Sequence, residues 1–264
     1  MHKQLKLRCI TENAKLTYNF TTVVGNIINN KISEVDPLLG EKLHNGGTKY
    51  GKGHSAKLFI SRLRPLNYST LDHCIQVKGN EYVLDVRFYD LILSKAFNKA
   101  ILLDETLYLA DKYGTKIFKI VGEKNMKVPH FSNKMRYKLR TPSSLSEKKK
   151  DERKGRVIRP NEPLFIEKLQ DHFLRKTDIL YQFGIKDEGL EEGIEDLRFS
   201  LIGNRIKEKR LYFTPSSSEK PVGIKGYEYD FELVAPVSIH KLIYYGGFME
   251  NTARGFGYLD VLQN

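Results

Sequence analysis

The sequence contains few cysteines and no long apolar run. Cys9 and Cys74 are the two cysteines in 264 residues, and they form neither a CxxC pair nor a cluster with histidine. This usage argues against a disulfide framework or a zinc ribbon, and it predicts a protein of the reducing cytosol. No stretch approaches the ~20 apolar residues of a membrane-spanning helix. No apolar segment follows the first residues, so we expect no signal peptide.

Several catalytic signatures are missing as well. The sequence has no Walker phosphate loop, no Gly-x-Ser-x-Gly turn and no histidine pair four residues apart. The carboxylates Glu41, Asp72, Asp85 and Asp90 show no tight paired spacing. Metal-dependent hydrolysis is therefore disfavoured, and we expect neither a metal site nor a cofactor.

Positive charge is what the sequence has in excess. The formal net charge is +12 and the pI is about 9.4, while hydrophobic residues make up 40% of the chain. This hydrophobic content is enough for a folded core. The charge suits a polyanionic partner, either nucleic acid or an anionic membrane surface, although a purely solubilising role is the simpler alternative.

The first half of the chain alternates strands with helices. Period-two alternation predicts strands over 5–10 and 81–88, and further strands are expected over 57–63, 107–109 and 116–121. Apolar residues at helical spacing predict helices over about 17–32 and 91–103. We expect Asp36-Pro37 to stop or interrupt the first helix. The order strand, helix, two strands, helix, strand is that of the ferredoxin-like split βαβ arrangement.

The second half repeats this plan more loosely. Strands are predicted over 135–139, 197–202, 210–213 and 227–233, and helices over 161–181 and 239–245. The charge run 147–156 is typical of a solvated loop. The predicted fold is α+β, with two tandem ferredoxin-like domains at 1–124 and 125–264.

A glycine-rich segment near the C-terminus is the sharpest motif. Four glycines lie in two close pairs within 245–258, and an apolar strand is predicted over 258–262. Glycine permits positive φ, so such a loop can turn several N–H groups toward an anion. Arg254 adds a fork of donors suited to phosphate. The competing interpretation is a tight hairpin that ends the fold.

This segment resembles the glycine-rich signature of the CRISPR-associated repeat-processing endoribonucleases, members of the RAMP superfamily of paired ferredoxin-like domains. Their pattern is Gly-apolar-Gly, five residues, Gly-apolar-Gly. Here it runs Gly247-Phe248-Met249, then 250–254, then Gly255-Phe256-Gly257. Met249 departs from the pattern, and Gly246 is a candidate for part of the missing glycine's role.

The resemblance extends upstream in outline over nearly the whole chain. Residues 224–229 are similar to the strand before the loop in that family, and 43–59 are similar to its catalytic region. It implies binding of CRISPR repeat RNA in a prokaryotic cytoplasm. It also implies metal-independent cleavage by attack of the 2′-hydroxyl, which leaves a 2′,3′-cyclic phosphate.

A metal-free ribonuclease of this kind needs a base, an acid and a cation for the developing charge. The candidates within 43–57 are His44, Lys57, Lys52, His54 and Tyr50. His44 supplies a group that titrates near neutrality. By its position before Leu-Phe, Lys57 corresponds best to the family's catalytic lysine, and Lys52 is the competitor.

The family often carries a tyrosine near the end of the first helix, where this chain has Ile28 or Asn29. Neither side chain can act as an acid. Tyr50 or His54 is a candidate for that role, and a single histidine that does both jobs is the other alternative.

The RNA-binding candidates flank the glycine-rich segment or lie on one predicted strand. They are Lys225, Gly247, Asn251, Arg254, Gly255, Gly257, Arg136, Lys138 and Arg140. A non-catalytic subunit that retains guide RNA is the main alternative function, and a general RRM-like RNA-binding protein is a more remote one. Subunits of a CRISPR interference complex and a second copy of the chain are candidate partners.

Overall fold

The computed structural model describes residues 1–44, 58–72, 74–147, 155–182, 184–185, 189–190, 192–213 and 222–262. They form two compact units. The first contains the described residues up to Val128 together with Ala253–Gly255, and the second contains the rest from Pro129 onward. Both combine helices with an antiparallel sheet, so the predicted α+β class is confirmed.

The first unit is built around a five-stranded sheet. Its elements are β1 (His2–Cys9), β2 (Lys15–Leu16), α1 (Thr21–Val35), α2 (Pro37–His44), β3 (Phe59–Pro65), β4 (Tyr68–Thr70), β5 (Ile75–Val77), β6 (Glu81–Phe88), α3 (Leu91–Leu103), β7 (Thr106–Asp111) and β8 (Gly114–Asn125). The sheet order is β3-β6-β1-β8-β7, and β2, β5 and β4 form a small second sheet. Placing β1 between β6 and β8, with β3 outside β6, gives the ferredoxin-like strand order.

The second unit repeats this order. Its elements are β9 (Lys134–Leu139), β10 (Ser146–Glu147), β11 (Arg156–Val157), α4 (Leu164–Gln182), β12 (Arg198–Phe213), β13 (Val222–Val234), α5 (Val237–Gly246), a short 3₁₀ helix (Thr252–Arg254) and β14 (Leu259–Val261). The sheet order is β12-β13-β9-β14. The first strand again lies between the third and the fourth, so the tandem ferredoxin-like prediction is confirmed.

The first helix begins later than the apolar spacing indicated. The backbone N–H of Thr17 donates to Asp111 Oδ2 over 2.9 Å, which holds this residue outside α1. The predicted interruption at Asp36 is confirmed. Asp36 Oδ1 accepts the N–H of Leu39 over 2.9 Å, so Asp36 caps α2 while Pro37 occupies its first position.

The prediction of two separate strands over 197–202 and 210–213 is wrong, because β12 runs through both. Its pairing with β13 shifts register between Ile202 and Lys207, as a β-bulge does. Gly203 at the start of this irregularity has a φ of 72°, which glycine adopts without strain. The irregularity at this glycine therefore does not end the strand.

Each unit has its own apolar core. In the second unit, Leu169 and Phe173 of α4 are fully buried with Tyr137 and Phe231 of the sheet. Phe248, which follows α5, stacks on Phe231 with ring centroids 4.6 Å apart. The glycine-rich segment is thus anchored in the core by an aromatic side chain. No helix in the described ranges has the length and apolar character of a membrane span.

Candidate nucleic-acid interface

The glycine-rich loop between α5 and β14 has an unusual backbone. Positive φ angles occur at Gly247 (84°), Met249 (67°), Asn251 (59°), Gly255 (80°) and Gly257 (72°). Met249 stands where the family pattern has glycine, and it keeps the left-handed conformation despite its side chain. Gly246, the candidate for part of the missing glycine's role, is the last residue of α5, and that role stays a prediction.

Hydrogen bonds within the second unit brace this loop. The N–H of Phe248 donates to Gly257 O over 3.0 Å, and the N–H of Gly257 donates to Pro142 O over 2.8 Å. The N–H of Glu250 donates to Ser144 O over 3.0 Å. These N–H groups point into the protein, so the positive-φ residues chiefly give the loop its compact shape.

A buried lysine donates a hydrogen bond to the backbone of this loop. Lys176 on α4 has an exposed fraction of 7%, and its Nζ donates to the carbonyl oxygen of Gly247 over 2.7 Å. Burial lowers the pKa of this ammonium to about 7, and the charge of Glu250 opposes that shift. Sequence reasoning missed Lys176, although it lies at helical spacing with the core residues Phe173 and Leu180.

Lys176 should make the stability of the protein depend on pH. The unfolded chain keeps this lysine near its ordinary pKa of about 10.4, so it binds more protons than the folded protein above a pH of about 7. The free energy of unfolding should therefore rise with pH from about 7 toward 10, by at most about 1.4 kcal/mol per unit from this group. Below this window the cost of burying the charge is fully present.

Denaturant unfolding of wild type and Lys176→Met across that range measures this contribution. In Lys176→Met the free energy of unfolding should no longer rise with pH over this range, because methionine does not bind a proton. Lys241→Met, which removes an exposed lysine from α5, should retain it. Equal pH dependence in wild type and Lys176→Met would show that Lys176 titrates normally.

Arg254 and Asn251, both predicted to bind RNA, lie in the loop itself. Each is half-buried. Burial lowers the pKa of the Arg254 guanidinium from its ordinary value. Gly255 packs against α1 within the first unit, where a Cβ would lie 3.0 Å from the Cβ of Thr21. Its positive φ and this close approach both favour glycine.

Of the three cations predicted on one strand, Arg136 and Lys138 share one side of β9, since the residues between and beside them are buried, and Arg140 directly follows the strand. Each is matched by a carboxylate on a neighbouring strand. Arg136 Nε lies 2.9 Å from Glu232, Lys138 Nζ lies 3.8 Å from Asp230, and Arg140 Nε lies 2.7 Å from Asp260. These cations form an ion-pair ladder, which reduces the positive charge available to a phosphate.

Lys225 on β13 has a different environment. Its Nζ lies 5.3 Å from the ring centroid of Tyr227 and 2.9 Å from Glu208 Oε2. Arg159 reaches the same ring, with its Cζ 5.9 Å from the centroid. Sequence reasoning missed Arg159, since no local pattern connects it with a residue so distant in the chain.

The predicted catalytic residues fall mostly outside the described residues. His44 is the last residue of α2. Tyr50, Lys52, His54 and Lys57 lie in a stretch that the structure does not describe. Their catalytic roles stay predictions.

Ile28 and Asn29, which stand where the family often has a tyrosine, are both buried in α1, with exposed fractions of 0% and 3%.

His240 illustrates a histidine with a structural role. It is fully buried in α5, where Nδ1 lies 2.8 Å from the Tyr137 hydroxyl and Nε2 lies 3.3 Å from Asn133 O. A carbonyl can only accept, so Nε2 carries the proton and Nδ1 accepts from tyrosine. Burial lowers the pKa of His240, which favours the neutral ring. In the described part of the chain, no cluster of His, Cys, Asp and Glu could hold a metal ion.

Solved structures share this fold over the whole chain. A Cas6-related protein from Pyrococcus furiosus has a TM-score of 0.77 at 19% identity, with 100% of this chain and 99% of that chain covered. A RAMP protein described as binding different RNA substrates has a TM-score of 0.75 at 19% identity, with both chains fully covered. A Thermus thermophilus Cas6 product complex has a TM-score of 0.59 at 16% identity, with 99% and 98% covered.

These solved structures and this chain share the fold of two tandem ferredoxin-like units. Residues 123–261 match the family described as CRISPR associated protein Cas6, C-terminal. This match spans more than half of the sequence, and the chain belongs to the Cas6 family. A search of curated proteins finds no match.

Proposed function

We propose that this protein binds CRISPR repeat RNA and cleaves the precursor transcript without a metal ion. The observation that supports this most is the family match over 123–261, which contains the whole glycine-rich loop. Among the proteins with the same fold, one is described as binding different RNA substrates and others as Cas6 product complexes. The excess of basic residues suits such a ligand.

The proposed reaction is an internal transesterification. The 2′-oxygen loses its proton to a base and forms a bond to phosphorus, while the bond from phosphorus to the 5′-oxygen breaks. The leaving 5′-oxygen takes a proton from an acid, and the other product ends in a 2′,3′-cyclic phosphate. His44 is the proposed base, Lys57 or Lys52 stabilises the charge of the phosphorane, and Tyr50 or His54 is the proposed acid.

A non-catalytic subunit that holds guide RNA is the second candidate function. The observation that favours it is the apolar or amide side chain at the position of the family's tyrosine, since Ile28 and Asn29 are buried and cannot donate a proton. Such a protein would bind repeat RNA tightly and leave it intact.

Incubation of the wild-type protein with end-labelled repeat RNA in EDTA distinguishes the two. Cutting at one site with a cyclic phosphate on the 3′ end of the upstream product is the result expected for the endoribonuclease. Tight binding without cutting would support the RNA-holding subunit. Absence of binding would contradict both functions, and cutting only after addition of a divalent cation would contradict the proposed mechanism.

A further inference from the structure

Two cations converge on one aromatic ring of β13. The Arg159 Cζ and the Lys225 Nζ lie 5.9 and 5.3 Å from the ring centroid of Tyr227. The ring is buried, with an exposed fraction of 2% for the residue. Both distances are within the range of cation–π attraction, so the ring holds the two positive charges near each other.

The 143–145 segment is hydrogen-bonded both to Tyr227 and to Ile158, the neighbour of Arg159. Ser143 and Tyr227 exchange two backbone hydrogen bonds, of 2.9 and 2.8 Å. Two residues further along the chain, Leu145 O accepts the N–H of Ile158 over 2.9 Å. This bond places Arg159 beside the 143–145 segment. Because backbone bonds fix both sides, the position of the guanidinium does not depend on side-chain contacts alone.

The same segment also holds the glycine-rich loop. Pro142 O accepts the N–H of Gly257 over 2.8 Å, and Ser144 O accepts the N–H of Glu250 over 3.0 Å. A side chain at Gly226, next to Tyr227, would come within 2.8 Å of Phe256 of the loop. The cation pair and the loop are therefore neighbouring parts of one surface in the second unit.

The charges around the two cations differ. Lys225 is paired with Glu208 over 2.9 Å. Arg159 is exposed, and within the described residues its guanidinium forms no hydrogen bond or ion pair with a side chain, although its charge helps to lower the pKa of the Glu162 carboxyl. The nearby Glu162 accepts the backbone N–H of Arg159 over 2.7 Å, while the guanidinium of Arg156 takes its other oxygen. Arg159 thus keeps its donors for an external ligand.

We infer that Arg159, held over Tyr227 beside Lys225, binds a phosphate of the RNA backbone next to the glycine-rich loop. This inference rests on the proposed binding of repeat RNA. A guanidinium presents paired donors that match phosphate oxygens, and cation–π attraction to an aromatic ring does not use those donors. The contact involves the backbone alone, so it should strengthen binding to all RNA sequences about equally.

Binding of repeat RNA by wild type, Arg159→Ala and Arg159→Lys tests this site, with Kd measured between about 50 and 200 mM salt. Loss of one phosphate contact should weaken binding about 3–10-fold and reduce the slope of log K against log salt by about 0.7, the value for a single-stranded phosphate. Arg159→Lys keeps the charge and should retain most of the slope.

Arg175→Ala is the matched control, because it removes an exposed arginine from α4 in the same unit. Its Kd should stay within about twofold of wild type, as expected for one surface charge outside the proposed site. If wild type binds and Arg159→Ala matches this control, the inference is overturned and the proposed function stands. If wild type binds no RNA, the proposed function is overturned and the inference with it.

Discussion

Replacing His44 by alanine is expected to slow cleavage of repeat RNA by about 10²–10⁴-fold, the usual effect of losing a general base. Alanine cannot accept the proton of the 2′-hydroxyl, whereas an imidazole with a pKa near 6.5 is well matched to that task at neutral pH. Proteins that bind RNA usually make many phosphate contacts, so the Kd of the proposed complex should change little. Single-turnover cleavage in EDTA and a separate binding assay measure the two quantities.

His130→Ala is the control for this prediction, since His130 is an exposed histidine in the connection between β8 and β9. It should cleave at the wild-type rate. Cleavage by His44→Ala at that same rate would refute the assignment of His44.

The identity of the acid follows from the pH dependence of cleavage. A second histidine, such as His54, would make the rate fall above a pH of about 7. A tyrosine such as Tyr50 would keep it high up to about pH 10. His54→Ala and Tyr50→Phe should then slow cleavage to different extents. The slower variant should be the one that lacks the acid, and the ordinary pKa of the replaced side chain should match the pH at which the wild-type rate falls.

Local patterns predicted most elements of the fold. The strand over 81–88 and the helix over 91–103 have the bounds that their apolar periodicity indicated. Errors arose where contacts distant in the chain decide the outcome. The bond from Thr17 to Asp111 delays α1, and pairing with β13 carries β12 past Gly203. Neither effect leaves a mark in a short window of sequence.

In the candidate site, too, features set by local sequence could be predicted, and features set by contacts distant in the chain could not. The positive φ angles at the loop glycines could be predicted, because glycine is the residue type that adopts this conformation without strain. The same conformation at Met249 could not, because the surrounding packing imposes it on a side chain that is 1% exposed. Ion pairing of Arg136, and the approach of Arg159 to Tyr227, depend on strand register and on the 143–145 segment.

Gly257→Ala is expected to destabilise the second unit by about 3–5 kcal/mol. Its φ of 72° costs an L-residue roughly 1–2 kcal/mol. A Cβ at this position would also overlap the carbonyl oxygen of Phe248 and lie 2.9 Å from its backbone nitrogen and carbonyl carbon. These are backbone atoms, so a rotamer change cannot relieve the overlap, and the hydrogen bond from Phe248 N–H to Gly257 O must break.

Displacement of this pair should also disturb RNA binding. Phe248 stacks on Phe231 in the core, so movement of its backbone disturbs both the core and the loop. We expect the affinity for repeat RNA to fall about tenfold or more at a temperature where the variant is still folded, which corresponds to about 1.4 kcal/mol or more. Denaturant unfolding and RNA binding at that temperature measure the two effects.

Two control variants separate the conformational cost of Gly257→Ala from the cost of its overlap with Phe248. Gly79→Ala carries the conformational cost alone, because its φ is 84° and no atom lies within 4 Å of the added Cβ. Gly246→Ala places the methyl in helix α5, 3.7 Å from the nearest atom, Leu242 Cδ1, and should be neutral or stabilise by roughly 0.5–1 kcal/mol. If Gly257→Ala costs no more than Gly79→Ala, the close approach to Phe248 contributes nothing to the loop. A large loss at Gly257 alone would mean that contact between two backbone segments determines the shape of the proposed RNA-binding surface.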